Sequence, residues 1–150
     1  IVGLVIPSSS MPNLKLAVPF FMVTNMDRSL AFYRDGLGFE VKFEWKPEGR
    51  IEWCWLQREG VAIMLQEYRK ERVLSENLGI GFSVCFVCED ALELYREFLK
   101  KGMEVAEPFV GNNMWVASLK DPDGYKLDFE SSTDIAEEMT YAEWIRQNPA

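Results

Sequence analysis

A chain of 150 residues and 17.4 kDa, 48% hydrophobic and 27% charged, has the make-up of one globular domain with a buried core, which excludes a disordered or collagen-like polymer. Sixteen Lys and Arg against twenty-four Asp and Glu leave a net charge of −8, so a phosphate backbone is repelled and no nucleic-acid partner is expected. Histidine is absent, which removes the commonest metal ligand, the commonest general base and every Ser-His-Asp or Cys-His arrangement.

Ile1 to Ile6 is apolar but too short to span a membrane, and no charged start or small-residue cleavage site accompanies it. Met11 follows Ser8-Ser9-Ser10, so residues 1–13 read as a leader, upstream or added in cloning. Leu14 to Thr24 is an apolar, β-prone run in which Pro19 suggests an edge position or a bulge. Asn25 and Asp27 are candidate caps for a helix carrying Leu30, Phe32, Tyr33 and Leu37, ended by Gly36 or Gly38. Val41, Phe43 and Trp45 alternate with charged residues. After the Pro47-Glu48-Gly49 turn, Ile51, Trp53 and Trp55 alternate again, and Val61, Ile63 and Leu65 supply a fourth strand. Residues 14–66 therefore read strand, helix, strand, strand, strand.

Residues 67–79, with Tyr68-Arg69-Lys70-Glu71-Arg72 and no clear period, read as a linker, and the mixed sign of those charges does not suit a nucleic-acid site. Over 80–131 the order returns: a strand at Gly81 to Val87, a helix near Asp90 to Lys101, a strand around Val105, then a hairpin. Asp121-Pro122-Asp123-Gly124 has the chemistry of a type I turn, with Pro second and Gly fourth. Residues 132–150 form a tail in which Thr140-Tyr141-Ala142-Glu143 is a capping box for a short helix.

The two halves are copies. Gly60-Val61-Ala62-Ile63-Met64-Leu65-Gln66 precedes Gly124-Tyr125-Lys126-Leu127-Asp128-Phe129-Glu130 by 64 positions with the apolar residues in phase. Phe32-Tyr33-Arg34-Asp35 matches Leu94-Tyr95-Arg96-Glu97, and Gly38-Phe39-Glu40-Val41 matches Gly102-Met103-Glu104-Val105. Three matched blocks in one order predict a single α+β domain of paired βαβββ modules.

Asn25-Met26-Asp27-Arg28-Ser29-Leu30-Ala31-Phe32-Tyr33-Arg34-Asp35-Gly36-Leu37-Gly38-Phe39 resembles the first-helix signature of the vicinal oxygen chelate superfamily, also called the glyoxalase, bleomycin resistance and extradiol dioxygenase superfamily. Asp121-Pro122-Asp123-Gly124-Tyr125-Lys126-Leu127-Asp128-Phe129 resembles its last-hairpin signature. With the duplication, the resemblance covers about residues 14–131. It implies a cup-shaped mixed sheet with helices outside and the ligand inside. Metal-dependent members project His or Glu from the first and fourth strand of each module, and those places fall here on Val18, Met64, Phe82 or Ser83, and Asp128. Parity favours Ser83 if Phe82, Val84 and Phe86 face the helix. One carboxylate in four does not hold a divalent ion, which needs about three His, Asp, Glu or Cys ligands, so no metal and no other cofactor is expected. The resemblance is nearest to the metal-free branch that sequesters bleomycin as a dimer.

Candidate binding residues follow from inward parity and aromatic content. Phe20, Met22 and Met64 share the predicted inward parity, and Trp53, Trp55 and Trp115 fall on predicted strands, where aromatic walls stack on planar rings or face a cation. Core packing is the plainer reading of any one Trp. Asp128 and Glu130 share a strand face and suit a cationic ligand group, or else Asp128 is merely paired with Lys126 two positions away. Ser83 completes the set. Cys85 and Cys88 match a CxxC spacing, but on a strand their sulfurs diverge, and three cysteines, an odd and low number, favour structural thiols in a reducing compartment, the cytoplasm.

The expectation is therefore a cytoplasmic homodimer that binds a small planar or cationic organic molecule without catalysis, with no assigned catalytic residue, no nucleic acid and no membrane. Two rivals stay open. One is a lyase, isomerase or oxygenase using Asp128 or Glu130 as base with Tyr125 nearby, and the other is a scaffold whose cup is filled by its own aromatics.

Overall fold

The computed structural model describes residues 12–69 and 78–150. Most of the expected leader (1–13) and of the expected linker (67–79) lies outside the described residues. The rest of the chain folds as the duplication requires. Two four-stranded mixed sheets repeat one order: in each module the first strand lies at one edge, parallel to the fourth, and the fourth, third and second strands follow in antiparallel pairs.

In the first module β1 (Phe20–Val23) leads to α1 (Met26–Leu30), which passes directly into a π-helical segment (Ala31–Gly36). Asn25 caps the helix by accepting from the Arg28 N–H, and the chain leaves it through Gly38 at φ +78°. β2 (Glu40–Trp45), β3 (Trp53–Arg58) and β4 (Val61–Glu67) follow as a meander. The second module runs β5 (Ser83–Val87), α2 (Ala91–Lys100), β6 (Phe109–Gly111), β7 (Met114–Lys120) and β8 (Lys126–Ser132). Asp90 caps α2 as Asn25 caps α1, and Gly102 at φ +77° repeats Gly38. The capping box forms as expected at Thr140 and Glu143 and starts α3 (Tyr141–Gln147).

Two expected strands move, both because of proline. The run from Leu14 to Thr24 pairs only from Phe20 onward, with Leu14 and Leu16 largely exposed. Pro19 contributes its carbonyl to the Met64 N–H but has no N–H of its own to extend the ladder. The strand expected around Val105 is instead β6, beyond Pro108. Ahead of it the Ala106 N–H reaches the Ser118 carbonyl.

Strand alternation puts Phe21, Val23, Cys54, Leu56, Ile63 and Leu65 on one face of the first sheet, and Phe86, Ala117, Leu119, Leu127 and Phe129 on one face of the second. All belong to one hydrophobic core that also takes in Met26, Leu30, Tyr33 and Leu37. The modules are joined there by specific contacts. The Phe21 and Tyr125 rings stack at 4.3 Å, and the Tyr125 hydroxyl donates to the Met22 carbonyl. Buried Asp121 accepts from the Tyr33 hydroxyl, and Arg58 donates to the Leu37 carbonyl and to both carboxylate oxygens of Glu97. Both sheets thus spend their helix-bearing faces on a shared core and turn their other faces outward.

Candidate functional site

Register assigns each open face residue by residue. On the first sheet Phe43, Trp55, Met64 and Phe20 form one cross-strand row, and Trp45, Trp53, Gln66 and Met22 form the next. Every one of these side chains lies on the side away from the core, because partners directly opposite one another share a face. Phe20 is 49%, Phe43 64% and Trp45 45% exposed, whereas Trp53, Trp55, Met64 and Met22 are half-buried by their neighbours. Phe43 stands edge-on to Trp55 at 6.3 Å, and the Trp55 indole N–H donates to Gln57. The face is a contiguous apolar surface rimmed by polar residues.

The open face of the second sheet is polar over two rows and mixed over the third. Its rows are Ser83, Lys126, Lys120; then Cys85, Asp128, Ser118; then Val87, Glu130, Val116, Phe109. Phe86 turns to the core and Phe82 meets Phe21 edge-on, so Ser83 and Cys85 are the outward residues of β5. The Asp128 side chain is engaged on both oxygens. The Ser118 hydroxyl donates to Oδ1, and the Lys126 ammonium lies 3.4 Å from Oδ2. Glu130, half-buried, lies one row further along β8. Burial pushes the Cys85 thiol up to about 11, and the carboxylates of Glu130 and Asp128 push the same way. It is therefore a protonated, unreactive thiol at neutral pH.

Among the described residues, no hydrogen bond, ion pair or aromatic contact joins the two open faces. The structure brings Phe20, Met22, Trp53, Trp55 and Met64 together on one sheet and Ser83, Asp128 and Glu130 together on the other. Trp115 belongs to neither face. In phase with Ala117 and Leu119, it is 6% exposed on the core side of β7 and meets Trp144 of α3 edge-on at 6.0 Å. Its expected place in the cup is corrected accordingly. Tyr125 is likewise not near Asp128. It turns into the core, where burial raises its hydroxyl to about 12.

The face also takes in Phe43, which the sequence offers only as a strand residue, and Trp45, which it offers as one of a group of strand tryptophans. A bulge between Val41 and Phe43 sends Val41 to the core and Phe43 and Trp45 outward, and simple alternation hides that split. The pairing of Asp128 with Lys126 is legible from their spacing on one strand, whereas Ser118 is legible only once β7 and β8 are paired.

The donor chemistry does not fit a divalent metal. Phe20 rather than Val18 is paired beside Met64, and Cys85 rather than Ser83 beside Asp128. Whichever set is taken, Asp128 is its only carboxylate. Among the described residues no three His, Cys, Asp or Glu side chains converge.

Comparison with known proteins follows the fold. Over residues 15–129 the chain matches the Glyoxalase/Bleomycin resistance protein/Dioxygenase superfamily. Similar solved structures include a bleomycin-binding protein complexed with bleomycin, at 25% identity and TM-score 0.64 over 79% of this chain and 99% of that one. Another is the bleomycin resistance determinant of transposon Tn5, at 25% identity and TM-score 0.64 over 81% and 100%. A virulence protein of Salmonella typhimurium shares the fold at 18% identity and TM-score 0.58 over 82% and 100%. No curated protein sequence matches the chain. Matched over more than two thirds of its length, and built from two βαβββ modules, the chain belongs to the Glyoxalase/Bleomycin resistance protein/Dioxygenase superfamily.

Proposed function

We propose that this protein binds a small planar or cationic organic molecule without transforming it, in a cup formed when two copies of the chain set the aromatic face of one against the polar face of the other. The carrying observation is the pair of cross-strand rows on the first sheet, Phe43, Trp55, Met64, Phe20 and Trp45, Trp53, Gln66, Met22. An apolar face of this extent on a protein of net charge −8 calls for an occupant. Flat indoles and adaptable methionines suit a planar one. Glu130 and the overall negative charge suit a cation. The bleomycin-binding protein and the bleomycin resistance determinant, both 25% identical, make bleomycin the first probe.

A catalytic reading has less support. Asp128 already accepts from Ser118 and pairs with Lys126, and Tyr125 stands on the core side of its strand, so neither is free to act as base or acid.

Titration of metal-free bleomycin at moderate salt, followed by Trp emission, tests the proposal. Saturable quenching at one drug per chain with a dissociation constant of about 1 μM or tighter is expected, together with a dimer by light scattering. Trp55→Ala weakens binding by about tenfold or more, the cost of one lost aromatic contact. A flat titration removes the drug assignment. A monomer that binds with full affinity removes the shared cup.

A further inference from the structure

We propose that a bay at the start of β5 and β8 binds an oxyanion, a phosphate or carboxylate group carried by a small molecule. The bay has a volume of about 480 Å³ and lies between the Gly79–Ser83 segment, Gly124 of the β7–β8 turn, and the side chains of Lys120 and Lys126.

Charge carries the first part. Lys120 and Lys126 are direct cross-strand partners in the antiparallel β7–β8 pair, and Ser83 is the parallel partner of Lys126 on the other side. Like charges placed directly opposite one another destabilise a sheet. Lys126 is offset by Asp128, whose other oxygen is held by Ser118. Lys120 makes no ion pair among the described residues. An oxyanion between the two ammonium groups supplies the missing countercharge.

Backbone shape carries the second. Gly79 lies so close to the Gly124 carbonyl that a Cβ there would run into it, which pins the segment before β5 against the hairpin turn. Gly81 and Gly124 hold φ of +75° and +91°, and at each a Cβ position has no atom within 4 Å. The backbone is therefore open to a ligand at both glycines. Two ammonium groups and the Ser83 hydroxyl give donors without a carboxylate among the lining residues, the complement of an acceptor-only oxyanion. Ile80, 78% exposed, and Phe82, 48% exposed, give an apolar lip for the rest of the molecule. Ser83, Lys126 and Lys120 are the end row of the polar face that the proposed cup uses, so the inference rests in part on that reading; phosphate shifts in a protein that binds no bleomycin would uphold the bay and remove only the drug assignment.

The test is a titration of the full chain with inorganic phosphate, and separately with acetate, against chloride at matched ionic strength, read from the backbone amide resonances. Saturable shifts at Gly79, Gly81 and Gly124 are expected, weakened about fivefold or more in Lys120→Gln and restored in Lys120→Arg. Lys120 is exposed at a strand end, so Lys120→Gln folds with a melting temperature at or above the wild type's; Lys126→Gln gives a second loss at the other ammonium. A response to phosphate alone marks a phosphate ester as the occupant, and a response to both marks a carboxylate-tolerant site. Either upholds the bay. Shifts that match the chloride control, fail to saturate, or persist unchanged in Lys120→Gln overturn it.

Discussion

Cys85 shows how little an exposed thiol need be reactive. It sits on the outward face of β5 beside Asp128, with Glu130 one row away, and burial together with those carboxylates holds its proton on to about pH 11. Alkylation by iodoacetamide is therefore expected to be slow at neutral pH and to rise about tenfold per pH unit until the thiol titrates. Mass spectrometry of labelled peptides across pH checks this, and a rate already level near neutrality would contradict it. The divergence of Cys85 and Cys88 was legible from strand parity alone. So was the shared face of Phe20, Met22 and Met64, while Trp53 and Trp55 were legible as strand residues whose face the pairing supplies. Trp115 lies on the core side in phase with Ala117 and Leu119, a phase that the sequence already carries. The engagement of Asp128 by Ser118 was not legible at all, since it depends on the pairing of two strands.

At the scale of elements, the β7–β8 turn is held by one buried carboxylate. Asp121 accepts from the Asp123 and Tyr125 N–H groups with one oxygen and from the Tyr33 hydroxyl with the other, so it ties the hairpin to the first helix of the opposite module. Burial raises its carboxyl above the ordinary value even though all three donors pull it down. Asp121→Ala leaves three inward donors unpaired and is expected to cost about 3 kcal/mol or more. Tyr33→Phe removes one hydrogen bond and costs about 1 kcal/mol, and nearly nothing once Asp121 is gone. Urea unfolding of both single variants and the double checks this, and costs that simply add would rule out the shared contact. The turn itself was legible, because Asp-Pro-Asp-Gly has the chemistry of a type I turn, and so were the caps at Asn25 and Thr140. The starts of β1 and β6 were not, since a proline's missing N–H shortens a ladder only where a partner strand would have used it.

Across the whole molecule the shifted thiols and tyrosine hydroxyls share one bias. Burial raises the thiols of Cys54 and Cys85 to about 11 and the hydroxyl of Tyr125 to about 12, and it holds the hydroxyl of Tyr33 well above its ordinary value, with the Asp121 carboxylate adding to the effect. In the unfolded chain the thiols titrate near 9.0 and the hydroxyls near 10.0. Between the unfolded and folded values the native state holds protons that the unfolded state has released, so stability falls as pH rises. The contribution of each group is complete below its unfolded value and is lost as pH passes through the folded one. Asp121 shares the sign, since burial raises its carboxyl too. The urea midpoint is thus expected to stay level from about pH 7 to 8 and then to drop, more steeply beyond about pH 10 as the tyrosines join the cysteines. Tyr33→Phe removes one of these groups and flattens the upper part of the fall. The same core explains why a single chain offers two separate faces: with both helix-bearing sides spent on it, an aromatic wall and a polar wall meet only between copies. If they do meet there, the alkaline midpoint also rises with protein concentration, because a dimer is favoured by mass action. A midpoint that tracks pH but ignores concentration keeps the buried thiols and tyrosines and removes the shared cup.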